Sequence, residues 1–154
     1  MLLDGGDTWQ GSGLSLLTNG IDMVGASNIL GVDVMTGHWE FTYGEKIFLE
    51  NLKKFNGDFV AQNISLTEEA LFDGMEPVDE SNHFQKPYVV KTINKQRVAI
   101  IGQAFPYTPI ANPGRLIPNL TFGIRDSDLQ ELVEKIKLKE NASLIVLLSH
   151  NGVD

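Results

Sequence analysis

The stretch IDMVGASNILGVDVMTGHWEFTYG, residues 21–44, contains a complete passage from a helix to a strand and a loop. Its first ten residues predict a helix, with Asn19 as the N-cap and Gly31 as the residue that ends it. The following residues alternate like a strand and lead into a Gly-His pair at His38. This order predicts an α/β fold in which polar residues follow the carboxyl ends of strands.

The rest of the chain continues the alternation of strands and helices. A polar segment, residues 67–85, is expected at the surface with His83 in solvent, and residues 105–125, which carry four prolines, are expected to form a long functional loop. The other predicted elements are helices over about residues 45–55 and from a capping box at 127–130, and strands over 59–64, 88–93, 97–103 and 143–148. We therefore predict one layered α/β domain over residues 1–154.

The composition excludes several classes of function. Twelve basic against twenty acidic side chains give a formal charge of −8, which argues against binding to nucleic acid. The chain has no cysteine, so it has neither disulfides nor a cysteine nucleophile. No apolar run is long enough for membrane insertion. Residues 1–7 are typical of the end of a buried strand entering a turn, and we expect the natural N-terminus to lie further upstream.

Three polar residues, Asp7, His38 and His150, each follow an apolar, strand-like run. In α/β folds such positions gather at one edge of the sheet, and a carboxylate with two imidazoles can bind Mn, Fe or Zn. Taken singly, each of the three is more often a turn, cap or hydrogen-bonded structural residue. Trp9 and Trp39 could line a pocket or pack in the core.

The residues that flank these three positions resemble the sequence motifs of a known family. GDTWQGS (residues 6–12), GHWEFTYG (37–44) and SHNG (149–152) are similar to three blocks of the 5′-nucleotidase group of calcineurin-like metallophosphoesterases. The resemblance implies a four-layer α/β/β/α sandwich, incomplete at both ends of this chain. It also implies that Asp7 bridges two metal ions and that His38 and His150 are ligands of one of them.

One departure inside the second block changes the implied chemistry. Where the nucleotidases have a histidine that assists the leaving group, this chain has Trp39, and an indole N–H is only a hydrogen-bond donor. With residues 30–36 and 102–109, this block resembles the SoxB sulfohydrolases of thiosulfate oxidation. That resemblance implies two manganese ions, a periplasmic location and a SoxYZ-type sulfur carrier as partner. It makes Trp9, Trp39, Glu40 and Asn151 candidates for the second shell of the metals or the substrate pocket.

Two other interpretations stay open at this point. A 5′-nucleotidase-like phosphoesterase would share the metal site, and a non-catalytic fragment would only bind metal or a partner. The family's opening Asp-x-His and closing Gly-His-x-His blocks and its C-terminal substrate domain are not among these residues. We therefore expect the 154 residues by themselves to bind manganese weakly and to be inactive.

Overall fold

The computed structural model describes residues 1–152. Its α-helices are α1 (Gly13–Thr18), α2 (Ile21–Leu30), α3 (Glu45–Leu52), α4 (Glu68–Phe72), α5 (Thr108–Ala111) and α6 (Asp126–Lys139). Its strands are β1 (Leu3–Asp4), β2 (Val34–Met35), β3 (Asp58–Phe59), β4 (Ile64–Leu66), β5 (Tyr88–Ile93), β6 (Gln96–Gln103), β7 (Leu120–Phe122) and β8 (Leu144–Ser149). Single 3₁₀ turns occupy Trp39–Phe41 and Gly114–Leu116.

The strands form three sheets. In the first sheet β1, β2 and β3 are parallel neighbours. The second is the antiparallel pair of β4 and β7. In the third sheet β6 lies between antiparallel β5 and parallel β8. Because β1, β2, β6 and β8 are aligned with parallel partners, the residues that follow their carboxyl ends can meet at one edge of the molecule.

Three apolar layers hold four layers of secondary structure together. Val34 of β2 packs with Val98 and Ile100 of β6, so the first and third sheets face each other. Met35, the next residue of β2, faces a core that α2 and α3 also enter. On the far side of the third sheet, Ile136 of α6 packs with Ala99 and Ile101. This alternation confirms the predicted α/β fold, with its α/β/β/α order of layers.

Several predicted elements are found as expected. The helix over residues 21–30 has the predicted bounds, and Gly31 closes it in the left-handed conformation with φ 75°. β5 and β6 form the predicted hairpin, and the turn residues Asn94 and Lys95 both have positive φ. The apolar stripe of α6 packs on the third sheet. These elements follow from local periodicity and turn chemistry alone.

Two predicted helix caps are wrong. Asn19 does not cap α2: it ends α1 in the left-handed conformation, and Gly20 takes the N-cap position of α2. The capping box at residues 127–130 is not formed, since α6 begins at Asp126 after Arg125, which makes no side-chain cap hydrogen bond. Both errors have one cause, because Asn and Ser serve several positions near helix ends.

Three other boundaries differ from the prediction. Strand 59–64 is split into β3 and β4, because the N–H groups of Ala61 and Gln62 leave the first sheet and donate to the carbonyls of Lys86 and Gly102. The polar segment 67–85 contains α4 and buried residues, and the predicted loop 105–125 contains α5 and β7. β8 is less buried than predicted, with Leu144 56% exposed.

Within residues 1–152 there is no helix with the length and apolar character required to cross a membrane.

Candidate metal centre

The three predicted ligands lie together at the carboxyl edge of the sheets. Asp7 follows β1, His38 follows β2 and His150 follows β8. One ligand atom from each lies within 4.8 Å of those of the other two, and this is the one group of its kind found in residues 1–152. The sequence alone placed these residues at strand ends, and the topology brings those ends together.

Asp7 stands between the two imidazoles. Its Oδ1 lies 3.2 Å from His38 Nδ1, and its Oδ2 lies 3.4 Å from His150 Nε2. The three side chains therefore lie close enough together to hold a metal ion. Asp7 also has a φ of 65°, an uncommon value for a residue other than glycine, and such backbone strain is concentrated at functional sites.

The tautomer of His150 follows from its hydrogen bond. Its Nδ1 lies 2.7 Å from the carbonyl oxygen of Gly5, which can only accept, so Nδ1 carries the proton. In the neutral ring, Nε2, the atom nearer Asp7, then presents a lone pair. A backbone carbonyl that fixes a histidine in this way is a common support for a metal ligand.

His38 is buried without a hydrogen-bond partner. Its ring is packed against Trp39 and Phe105, with centroid distances of 4.6 and 4.2 Å. Neither ring nitrogen has hydrogen-bond geometry to any partner in the described chain. Burial lowers the pKa of His38, and the nearby His150 lowers it further, outweighing the opposite effect of Asp7. A neutral imidazole with an unused nitrogen is the form that binds a metal ion.

Glu40 holds the two ligand loops together. It is 1% exposed, and its Oε1 accepts from the N–H groups of Thr8 and Trp9 at 2.7 and 3.3 Å. Its Oε2 accepts from the N–H of His38 at 2.8 Å. Burial raises the pKa of Glu40, although these backbone hydrogen bonds oppose the shift. One carboxylate therefore holds the backbones of the two loops that carry Asp7 and His38.

Close backbone approach at Gly6 sets the distance between the three loops. Gly6 has a φ of 103°, and a Cβ added there would lie 3.0 Å from Gly37 Cα and 3.2 Å from His150 Nδ1. Asp4 supports the same turn, since its Oδ1 accepts from Gly6 N and Thr8 Oγ1, both at 2.9 Å. Only glycine combines this φ with the available space.

The remaining candidates divide between the site and the core. Trp39 is partly exposed beside His38, and its backbone N–H donates to Asp7 Oδ1 at 3.1 Å. Asn151 lines the open pocket with the three ligand residues, and its Oδ1 is buried without a hydrogen-bond partner in the described chain. Trp9 does not line this pocket. Its indole is 1% exposed and packs on Phe48 and Phe55, so its suggested pocket role is wrong.

Sequence reasoning missed Phe105 as a site residue. Phe105 follows β6, which is parallel to β8, and it lines the pocket with Asp7, His38 and His150. Its N–H donates to the carbonyl of Gly37, the residue before His38, at 3.1 Å. The available signal was its place just after an apolar strand, the same signal that marks the three polar residues.

The prediction that His83 lies in solvent is also wrong. His83 is 9% exposed rather than solvated. Its Nδ1 lies 2.8 Å from Asp79 Oδ2, and its Nε2 lies 2.9 Å from the backbone oxygen of Gln62. Both nitrogens are used internally, so His83 is a structural residue of the polar segment.

Comparison with known proteins agrees with this geometry. The SoxB sulfate thiohydrolase of Thermus thermophilus has a solved structure that matches with a TM-score of 0.85 at 37% identity, over 99% of this chain and 26% of that one. A 5′-nucleotidase precursor from the same species matches with a TM-score of 0.78 at 28% identity, over 97% of this chain and 27% of that one. The 5′-nucleotidase of Bos taurus is 29% identical over an alignment of 157 positions, which covers 100% of this chain and 25% of the relative. The predicted resemblance is confirmed.

The fold is that of the calcineurin-like phosphoesterases and 5′-nucleotidases. A calcineurin-like phosphoesterase from Bacillus subtilis matches all of this chain, and 49% of its own length, with a TM-score of 0.81 at 21% identity. No protein-family model matches the chain. The chain spans about a quarter of the length of the SoxB and nucleotidase relatives named above.

Proposed function

We propose that this protein acts as a metal-dependent hydrolase of the SoxB type, which releases sulfate from a cysteine-bound S-sulfonate on a SoxYZ-type carrier in the periplasm. The observation that carries the proposal is the cluster of Asp7, His38 and His150 with an indole, Trp39, packed beside it. The 37% identity with the Thermus thermophilus SoxB thiohydrolase supports it.

The residues fit divalent metal ions. Neither ring nitrogen of His38 makes a hydrogen bond in the described chain, and the Asp7 carboxylate lies 3.2 Å from His38 Nδ1 and 3.4 Å from His150 Nε2. The three residues therefore present nitrogen and oxygen donor atoms at one place. We propose that they hold part of a site for two manganese ions, with Asp7 as the bridging ligand. When bound, two such ions supply a Lewis acid for the peripheral oxygens of a sulfonate and lower the pKa of a bound water.

The chain's own residues hold this donor set in place before substrate arrives. Glu40 fixes the backbones of Thr8 and His38, and Gly5 fixes the tautomer of His150. Preorganised ligands avoid the cost of ordering them during the reaction. In the proposed hydrolysis, a water oxygen joins the sulfonate sulfur and the bond from that sulfur to the carrier-bound sulfur breaks. The carrier-bound sulfur leaves as an anion, sulfate is formed, and the two protons of the water pass to solvent.

Trp39 favours a leaving group of this kind. We infer from the resemblance to the nucleotidases that Trp39 stands where they have a histidine that assists the leaving group. An indole cannot deliver a proton as an imidazole does. A sulfur anion requires less protonation than an alkoxide. The site is therefore better suited to a thiol-type leaving group than to a nucleoside.

A 5′-nucleotidase activity is the second candidate. Relatives named 5′-nucleotidase from Bos taurus and Rattus norvegicus are 29% and 28% identical to the chain over its full length. Both candidate reactions use the same donor set, and they differ in the leaving group. Position 39 is therefore where the two candidates can be separated.

Steady-state rates of the natural full-length protein on a carrier cysteine S-sulfonate and on a nucleoside monophosphate test the proposal. We expect the S-sulfonate to be hydrolysed much faster. Trp39→His should raise the nucleotidase rate by at most the roughly 10²–10⁴-fold that a positioned acid contributes. A parent protein that prefers the nucleotide would contradict the sulfohydrolase assignment.

A further inference from the structure

The loop that follows β6 contacts both histidine loops of the metal centre. The carbonyl of Gln103, the last residue of β6, accepts from the backbone N–H of His150 at 2.9 Å. Two residues later, the N–H of Phe105 donates to the carbonyl of Gly37 at 3.1 Å, and its ring lies against that of His38 with a centroid distance of 4.2 Å. Residues 103 and 105 therefore set where the two histidine loops lie relative to each other.

Asn63 holds the residue between these two contacts. Its Oδ1 accepts from the N–H of Ala104 at 2.8 Å, and its Nδ2 donates to the carbonyl of the same residue at 2.8 Å. The Nδ2 group also donates to the carbonyl of Gly123 at 3.1 Å. Asn63 and Ala104 are both 0% exposed, so water does not compete for these hydrogen bonds.

The side chain of Asn63 takes the place of a strand partner where β6 leaves its sheet. On one side β6 is paired with β8 as far as Gln103 and Ser149, and on the other side it is paired with β5 as far as Ile101. The buried N–H and carbonyl of Ala104 lie beyond both pairings, and such groups require partners. A planar amide offers an acceptor and a donor side by side, so it can bond both groups as a neighbouring strand would.

We propose that Asn63 is a positioning residue of the metal centre. It is not part of the pocket lining around Asp7, and it acts by fixing Ala104. Because the residues on either side of Ala104 hold the loops of His38 and His150, the amide of Asn63 sets the separation of the two imidazoles. The proposal rests on the proposed metal-dependent function and assigns part of the metal affinity to a residue that contacts no ligand.

Asn63→Ala in the natural full-length protein tests the proposal. We expect the dissociation constant for manganese to rise about tenfold, the lower end of the effect of a residue that supports a metal ligand. Calorimetric titration well below the midpoint of thermal unfolding of the variant measures it. Since the defect lies in metal affinity, excess manganese should return kcat to near the parent value. A lower unfolding midpoint with an unchanged dissociation constant would reduce Asn63 to a structural residue and overturn the proposal.

Asn51→Ala is the matched control. Asn51 is 5% exposed, and its side-chain amide donates to the carbonyl of Asn19 at 2.8 Å, so its loss should also lower the unfolding midpoint. We expect its dissociation constant for manganese to equal that of the parent. An equal rise in both variants would mean that lost stability weakens binding, which would also overturn the proposal.

The parent protein separates failure of this proposal from failure of the proposed function. A parent that binds no manganese would refute the proposed metal centre, and the role of Asn63 with it. A parent that binds manganese while Asn63→Ala binds it equally well would refute the role of Asn63 alone.

Hydrogen exchange of the parent, followed by mass spectrometry, decides the proposal if Asn63→Ala does not fold. If the hydrogen bonds of Asn63 strengthen manganese binding, manganese must strengthen those hydrogen bonds in return. We expect manganese to slow exchange of the Ala104 N–H about tenfold, matching the change in affinity. The N–H of Asn56, which donates to Asn28 Oδ1 at 2.8 Å, is the control and should exchange at an unchanged rate. No slowing at Ala104, or equal slowing at both amides, would overturn the proposal.

Discussion

Two histidines of this molecule, His38 and His83, are buried to nearly the same extent, with 7% and 9% of their surfaces exposed. His83 uses both ring nitrogens, one toward Asp79 and one toward the Gln62 carbonyl. His38 uses neither in a hydrogen bond within the described chain. Burial does not distinguish a structural histidine from a ligand; the count of satisfied nitrogens does.

The difference extends to the surroundings of each ring. Both ring nitrogens of His83 face hydrogen-bond acceptors, the Asp79 carboxylate and the Gln62 carbonyl. His38 is packed between two aromatic rings, and burial lowers its pKa, which favours the neutral form. The same residue type therefore serves as a hydrogen-bonded structural residue at one place and as a candidate metal ligand at the other.

The sharpest test of this contrast is His38→Ala in the natural full-length protein. We expect hydrolysis of both the S-sulfonate and the nucleotide to fall by about 10²-fold or more, since loss of a ligand should exceed the roughly 10–100-fold effect of an outer-shell change. Steady-state kinetics measures the effect, and manganese titration by calorimetry should show weaker binding. Unchanged activity would remove His38 from the site.

The matching change, His83→Ala, should act on stability instead. It removes one partner of a partly exposed ion pair and leaves the Gln62 carbonyl without its hydrogen bond. Asp79 keeps the backbone N–H donors of Ser81 and of position 83. We expect a loss of about 2–3 kcal/mol in the free energy of unfolding. Urea denaturation measures it, and kcat per folded molecule should stay at the parent value. A large fall in kcat with intact stability would reverse the roles assigned to the two histidines.

Glu40→Gln should have a smaller effect on the metal centre. The side-chain amide of glutamine keeps one oxygen that can accept a hydrogen bond. Its NH₂ group would face one of the backbone N–H donors that the Glu40 carboxylate accepts from in the parent. We expect manganese affinity to fall about tenfold, the lower end for a residue that positions a ligand. Calorimetric titration of the full-length protein with manganese measures this change in affinity. Glu50→Gln, at an exposed position of α3, is the control and should leave the affinity unchanged.

The smallest expected effect is a pH dependence from Asp79. Burial alone would raise the pKa of Asp79, but the hydrogen bond and charge of His83 outweigh it, and the pKa lies below its ordinary value. The stability that ionised Asp79 contributes is therefore complete above the unfolded pKa of about 3.9. It is lost as the pH falls through the folded pKa. We expect it to be about 1 kcal/mol for this partly exposed group.

Urea unfolding of the parent and of Asp79→Asn at a series of acidic pH values checks the pH dependence. The parent should lose more stability than the variant as the pH falls below about 4. Parallel pH profiles would show that the pair contributes nothing to folding.

The sequence predicted those features that depend on local pattern. The periodicity of residues 21–30 and of α6 predicted their helices, and strand ends indicated Asp7, His38 and His150 as residues that could meet. Features that depend on long-range partners were not predicted. Trp9 lies two residues from Asp7, yet its indole turns into a core built by Phe48 and Phe55.

The same limit explains His83 and Phe105. His83 lies in a stretch rich in charged residues, and its burial depends on hydrogen bonds to Asp79 and to Gln62, which is 21 residues away in sequence. Phe105 enters the site because β6 lies beside β8. Such pairings are set by how sheets and loops assemble, which no local window of sequence contains.

The link between Trp39 and Asp7 has a consequence for how such enzymes can diverge. Position 39 supports Asp7 through its backbone N–H, a group that every residue except proline possesses. Glu40 and Gly6 set the spacing of the ligand loops independently of the side chain at position 39. The side chain at position 39 can therefore change while the scaffold that holds the ligands is retained, and under the proposed function such a change alters the preferred leaving group.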